Sequence, residues 1–201
     1  MKSFIKNTSG VAMIEFALVM PFMIFAIMGG MELTWQAIVR QKIQGIAATA
    51  ADNTARIRGV IDETDITETM TAATINGSGL DLDKNGRMII SSIQRNSANN
   101  GDWIRWQRCY GEKNVDSKYG NENAGKNTAT TIGLNNDPNM RPPAGNAMIV
   151  VEITYDHEPL ITETFFGEKT FTYETAYIVR DRADLGIRNV TNLSGSKRFT
   201  C

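Results

Sequence analysis

From Val11 to Met31 the chain reads "VAMIEFALVMPFMIFAIMGGM", a run whose one charged side chain is Glu15. Wound as a helix with a rise of about 1.5 Å per residue, such a run covers about 30 Å, the thickness of a bilayer's hydrocarbon core. A helix that is apolar all round must be surrounded by lipid or protein. The remaining chain has to fold as an attachment to it. Lys2 and Lys6 precede the run. Basic residues favour the cytoplasmic side, so the N-terminus is expected there and the long polar remainder outside. A secretory signal is the rival reading, because "AIMGGMEL" offers small residues at Gly29 and Gly30. Against it, the apolar run is long for a signal core and contains a carboxylate.

That carboxylate admits two readings. A charge at the centre of a membrane helix costs about 2.5–3.5 kcal/mol, and less near an end. Glu15 lies one turn inside the cytoplasmic end, where its side chain can reach towards the headgroups. It is then simply tolerated. The second reading follows if the chain is cut after Gly10. Val11 then carries a charged amine four residues before Glu15, and an i, i+4 pair offsets the cost. The amine of a neighbouring copy could serve as well and would set the register of an assembly.

"GVAMIE" resembles the processing site of type IV pilin-like precursors, and "SGVAMIEFALVMPFMIFAIMGGMEL" resembles the TadE-like minor pilins, or pseudopilins, of tight-adherence (Flp) pili. The resemblance extends to "QGIAATAADNTAR", "WIRWQRCYG" and "VEITYDHEPL". It implies that Gly10–Val11 is the bond cut by a prepilin peptidase, that Glu15 is the fifth mature residue, and that Pro21 is a helix-bending proline. The partners it implies are that peptidase, other major and minor pilins, and pilus assembly proteins. The implied location is the bacterial inner membrane, crossed once, with the C-terminal domain in the periplasm and incorporation into an extracellular pilus as a further step.

Four segments are expected: a leader at 1–10, a transmembrane segment at 11–31, a helix extension at 32–58 and a soluble α+β domain at 59–201. In the extension Trp35, Val39, Ile43, Ile46, Ala50 and Ile57 recur on one helical face, so one helix should run from about Val11 to about Arg58. "DETDITETMTAATI" reads as a short helix with Asp62 or Asp65 as its N-cap. Four β-rich segments follow, "RMIISSI", "WIRWQRCY", "AMIVVEITY" and "KTFTYETAYIV". They predict a small antiparallel sheet of about four strands packed on the helix. The Gly- and Asn-rich connection from Gly111 to Asn146 is long for a compact domain, and reads either as a flexible surface loop or as a contact surface.

Candidate chemistry is sparse. In "DLDKNG", Asp81, Asp83 and Asn85 fit the first half of a calcium loop. The position for the bidentate Glu is Ser92, and Asn-Gly is also good turn chemistry. Calcium therefore has a partial ligand set, and no other cofactor is expected. Cys109 and Cys201 are the two cysteines, and in an oxidising compartment they are expected to pair. His157 is the one histidine, and no nucleophile and base assemble around it in the sequence. Strict alternation from Trp103 to Arg108 puts Trp103 and Arg105 on one face and Trp106 and Arg108 on the other, so no aromatic stripe for nucleic acid is expected. The net charge of −1 agrees, since nucleic-acid binding wants a basic surface. Two functions follow from these residues. The first is a non-enzymatic minor pilin or pseudopilin needed for tight-adherence pilus assembly. The alternative is a membrane-anchored periplasmic binding or adhesion module outside any pilus.

Overall fold

The computed structural model describes residues 9–134, 137–161 and 167–201. Most of the expected leader, including Lys2 and Lys6, lies outside the described residues. Two compact units emerge, Met1–Ile38 with Glu158–Glu168, and Val39–His157 with Lys169–Cys201. The long helix α1, Ser9–Arg56, begins in the first unit and ends in the second.

In the first unit α1 passes through Pro21 as one helical element. Its most apolar stretch has a mean hydropathy of 2.3 and none of it is buried, so this helix is long and apolar enough to cross a membrane. The second unit is an α+β domain. Here α1 buries Val39, Ile43, Ile46 and Ala50 of the expected stripe, joined by Ala47 and Ala51, while Ile57 falls just past the end of the helix. Its last carbonyls would be orphaned without a cap. Arg182 supplies one, donating from Nη2 to Thr54 O at 2.6 Å and from Nε to Ile57 O at 3.2 Å. Arg180 N adds a bond to Ala55 O at 3.0 Å. A cation at a helix C-terminus also complements the helix dipole. Burial nevertheless holds the Arg182 pKa below its ordinary value.

Strand β1, Ile61–Asp62, pairs in parallel with β6, Ile187–Arg188. Helix α2, Glu63–Asn76, starts in a capping box: Asp62 accepts from Thr64 N at 3.1 Å, and Asp65 accepts from Asp62 N at 2.8 Å. After the short helical turn α3, Leu82–Asn85, come β2 (Gly86–Arg95), β3 (Asp102–Tyr110), β4 (Ala147–His157) and β5 (Lys169–Ile178). They form one antiparallel sheet in the order β3-β2-β4-β5. The expected sheet is present, with its strands where the β-branched runs placed them.

Both faces of the sheet are covered. On one face lie the buried Met88, Ile90, Ile149, Val151 and Ile153, and the strand register places Phe171 and Tyr173 beside them. Arg40 of α1 lies over the Phe171 ring, 4.5 Å from its centroid. On the other face Ile93, Ile104, Met148 and Val150 form a cluster with Ile132, and Tyr119, Ala124 and Leu134 pack against it. Those last four residues come from the Gly111–Asn146 connection. Far from being a free loop, the connection is the second covering layer. It also closes the outer edge of β3, where Asn123 N donates to Ile104 O and Ile104 N to Ala124 O. Gly125 (φ +81°) makes the approach possible, because a Cβ there would lie 2.1 Å from Asp102 O.

A bulge overturns the expected alternation in β3. Ile104 pairs with Ile93 but Trp106 pairs with Ser92, leaving Arg105 as the extra residue. Trp103, opposite Gln94, and Trp106, opposite Ser92, therefore share a side of the sheet. Trp106 is buried with its indole N–H donated to Leu185 O at 3.3 Å, so it serves packing.

Candidate functional site

Gly10, Val11, Glu15 and Pro21 all lie on α1. Gly10 is in the first turn and exposed, and a Cβ built on it meets nothing within 4 Å. Val11 is 55% exposed, and Glu15, one turn further on, is exposed too. Among the described residues Glu15 makes no hydrogen bond or ion pair. The large apolar side chains from Val11 to Ile27 are 44–77% exposed. At about 1.5–3 kcal/mol for each large apolar side chain, leaving a dozen of them in water would cost more than a whole domain's net stability. This surface needs a non-aqueous neighbour.

The far end of the run carries a second carboxylate that sequence reasoning passed over. Glu32, which follows Met31, is fully buried. Its Oε2 accepts the main-chain N–H of Leu160 at 2.8 Å, and its Oε1 accepts from Gln36 Nε2 at 3.2 Å. The signal available was a charge at the boundary of an apolar run with a polar residue one turn on. Its main-chain partner, far away in sequence, left no trace.

Cys109 and Cys201 are joined by a disulfide with their Cα atoms 4.9 Å apart. The tail it anchors bonds to the outer edge of β3, with Cys109 N donating to Phe199 O at 2.7 Å. Beside it Arg108 is buried and donates to Glu63 at 2.5 and 2.9 Å and to Glu122 Oε2 at 3.0 Å. Burial opposes the Arg108 charge, but Glu63 and Glu122 outweigh it and hold its pKa above the ordinary value. Asp102, fully buried, accepts from Arg141 Nη2 at 2.7 Å and from Ile132 N at 2.9 Å, fastening the 111–146 layer. On the same face burial pushes the Glu152 carboxyl up, although the Ser117 hydroxyl and Lys118 N donate to it. At the start of α2 the hydroxyl of Thr191, with help from the N–H groups of Thr64 and Val190, holds Asp62 well below the usual carboxylate range. Each of these polar groups fastens one layer of the domain to another.

Asp81, Asp83 and Asn85 lie at the α3 turn that leads into β2. Asp81 is left-handed (φ 46°), and its carbonyl accepts from Lys84 N at 3.0 Å and Asn85 N at 2.9 Å. Leu82 is buried, and strand β2 begins at once with Gly86. Among the described residues no group of three or more His, Cys, Asp or Glu side chains could hold a metal ion. His157 is buried with its ring centroid 5.3 Å from that of Phe171, a packing position.

Comparison with known proteins points back to the helix. Residues 10–52 match the family model described as TadE-like protein. The match begins at Gly10 and takes in Glu15 within the apolar run and Glu32 just past it. No curated protein and no solved structure matches the chain.

Proposed function

We propose that this chain, TadE-like over residues 10–52, is a minor pilin or pseudopilin of the tight-adherence (Flp) pilus system. It is anchored in the bacterial inner membrane by α1, with its N-terminus in the cytoplasm and its α+β domain in the periplasm. A prepilin peptidase cuts between Gly10 and Val11. The role is structural and not catalytic: the mature chain takes part in assembly with other pilins and pilus assembly proteins. The observation that carries this reading is the pairing of an exposed apolar helix with an exposed Glu15 that has no partner among the described residues. In lipid such a charge must be offset from outside that set. Cleavage supplies the offset, because it turns Val11 N into an ammonium one turn from Glu15. If the ammonium belongs to a neighbouring copy, the same attraction fixes the relative height of two helices. Helices packed within a membrane gain from close fit and polar pairing, so one well-placed ion pair selects the register.

The rival, a membrane-anchored recognition module, depends on the 111–146 connection as a free binding loop. That connection is occupied in covering the sheet and the edge of β3, which favours the pilin reading.

The mature N-terminus tests the proposal. When the chain is co-expressed with a prepilin peptidase, N-terminal sequencing and intact mass should find a chain beginning at Val11. Gly10→Val should abolish the cut. Because a Cβ at residue 10 meets nothing within 4 Å, its disulfide and unfolding midpoint should stay those of the parent. A start at Met1, or after Gly30, refutes the assignment.

A further inference from the structure

One glutamate lies in the first turn and a half of the apolar run and another just past its end, and they are treated differently. Glu15 is exposed, whereas Glu32 is fully buried and bonded to the main chain of Leu160. Leu160 belongs to the connection between β4 and β5, and its stretch Glu158–Glu168 falls in the same compact unit as the apolar part of α1. A carboxylate accepting a main-chain N–H makes a strong, charge-assisted hydrogen bond. Leu160 is thereby pinned to α1 just past the residue where the apolar run stops.

What is pinned there is apolar. The Leu160 side chain is 55% exposed and lines a groove of about 580 Å³ with Ala26, Ile27, Gly30, Met31 and Trp35. Four of those helix residues lie within the run itself. The groove is therefore continuous with the surface that needs a non-aqueous neighbour, and it opens at the level where the run meets water. Trp35, one turn beyond Met31, is half-buried and of the residue type that favours membrane interfaces.

We infer that Leu160, at the described start of the β4–β5 connection, is a membrane foot: held by Glu32, it rests in the outer interfacial layer of the bilayer, and lipid chains fill the groove beside it. This rests on the membrane-anchored reading of α1. A second copy's helix is the competing occupant, since Ala26, Gly30 and Thr34 are small residues at four-residue spacing. Leu160 argues against it. It forms part of the groove lining and so obstructs the close backbone approach that such a stripe serves. A flexible acyl chain fits around it.

The experiment uses the full chain in nanodiscs of phosphatidylethanolamine and phosphatidylglycerol. Both native cysteines are in the disulfide, so a single introduced cysteine can carry a fluorophore. Leu160→Cys keeps the main-chain N–H that Glu32 accepts. Met23→Cys reports on the run itself, being 53% exposed at its middle. The label at 160 should be quenched more by nitroxides near the headgroup than by nitroxides deep in the chains, and the label at 23 in the opposite order. Adding Glu32→Ala to Leu160→Cys removes a charge-assisted bond and should lower the docked population about tenfold, with the disulfide intact. Quenching at 23, with the label at 160 reached only by aqueous iodide, overturns the foot and leaves the membrane anchor standing. No lipid quenching at either position overturns both. Shielding of residue 160 from lipid and iodide alike, with crosslinks to a second copy, assigns the groove to a neighbouring helix and overturns the proposal.

Discussion

Replacing Glu63 with Gln should be among the most damaging single changes in the α+β domain. Glu63 opens α2 and receives two bonds from Arg108 of β3, at 2.5 and 2.9 Å, with side-chain exposures of 4% and 6%. The substitution keeps the shape and removes the charge, leaving a buried guanidinium short of its main counterion. Breaking such a pair from one side costs about 3–5 kcal/mol, mostly because a buried charge is stranded. Glu122 remains, 3.0 Å from Arg108 Nη1, but it is 44% exposed and can offset only part of the loss. The lower end, about 3 kcal/mol, is therefore expected.

The assay is urea unfolding of the full chain in detergent, followed by tryptophan fluorescence. Trp106, two residues from Arg108 and buried, reports on the same strand. With a urea slope of about 2 kcal/mol per molar, the midpoint should fall by about 1.5 M. The double variant Glu63→Leu with Arg108→Met tests the cause. With neither charge stranded, and Glu122 able to hydrate, it should lie within about 1 kcal/mol of the parent. A fall below about 0.5 M for Glu63→Gln, or a double variant as unstable as the single, would refute the stranded-charge account.

Two further outcomes follow from the same domain. Cys201→Ser opens a link across a sequence separation of 92 residues, and chain entropy puts the loss at about 4.6 kcal/mol. Hydrogen exchange should show the Cys109 amide deprotected as its bond to Phe199 O is lost, and retained protection would contradict the strap role of the tail. Glu152 has its folded pKa raised by burial, so ionising it opposes folding. The penalty is absent below the unfolded value of about 4.3 and grows as pH rises through the folded one. Glu152→Gln should therefore gain on the parent as pH goes from 4 to 7, and a gain that shrinks over that range would reverse the sign and sink the argument.

The readable parts of this chain were those governed by local physics. The period of Val39, Ile43, Ile46 and Ala50 required a helix with one buried face, and the β-branched runs located all four strands of the main sheet. Capping chemistry left Asp62 or Asp65 as the start of α2, and the fold uses both, Asp62 as the cap and Asp65 as its N3 partner. What stayed hidden depends on partners distant in sequence. Arg108 meets Glu63 across 45 positions and Asp102 meets Arg141 across 39, so neither charge revealed its role locally. The 111–146 connection looked like a loop because its apolar residues are few. Ile132 and Leu134, helped by main-chain bonds to β3, suffice to make it a layer. The bulge at Arg105 had no local mark either, and that one inserted residue was enough to move Trp106 to the other side of the sheet.

The two glutamates, one within the apolar run and one just past it, obey one rule with opposite results. A carboxylate beside an apolar run needs a donor, and the fold gives Glu32 Leu160 N and Gln36 Nε2. Glu32 is thus spent on holding Leu160 of its own chain against α1. Among the described residues Glu15 has none, which leaves its charge available for something made later. An amine released at Val11 would have the right sign and lie one turn away, and only a processed chain possesses it. On the proposed function, this asymmetry makes the assembly charge conditional on cleavage. Substituting Glu32 should disturb the chain's own fold where α1 meets Leu160, while on the proposed function substituting Glu15 should leave the isolated chain unchanged and fail only where a second helix must find its height.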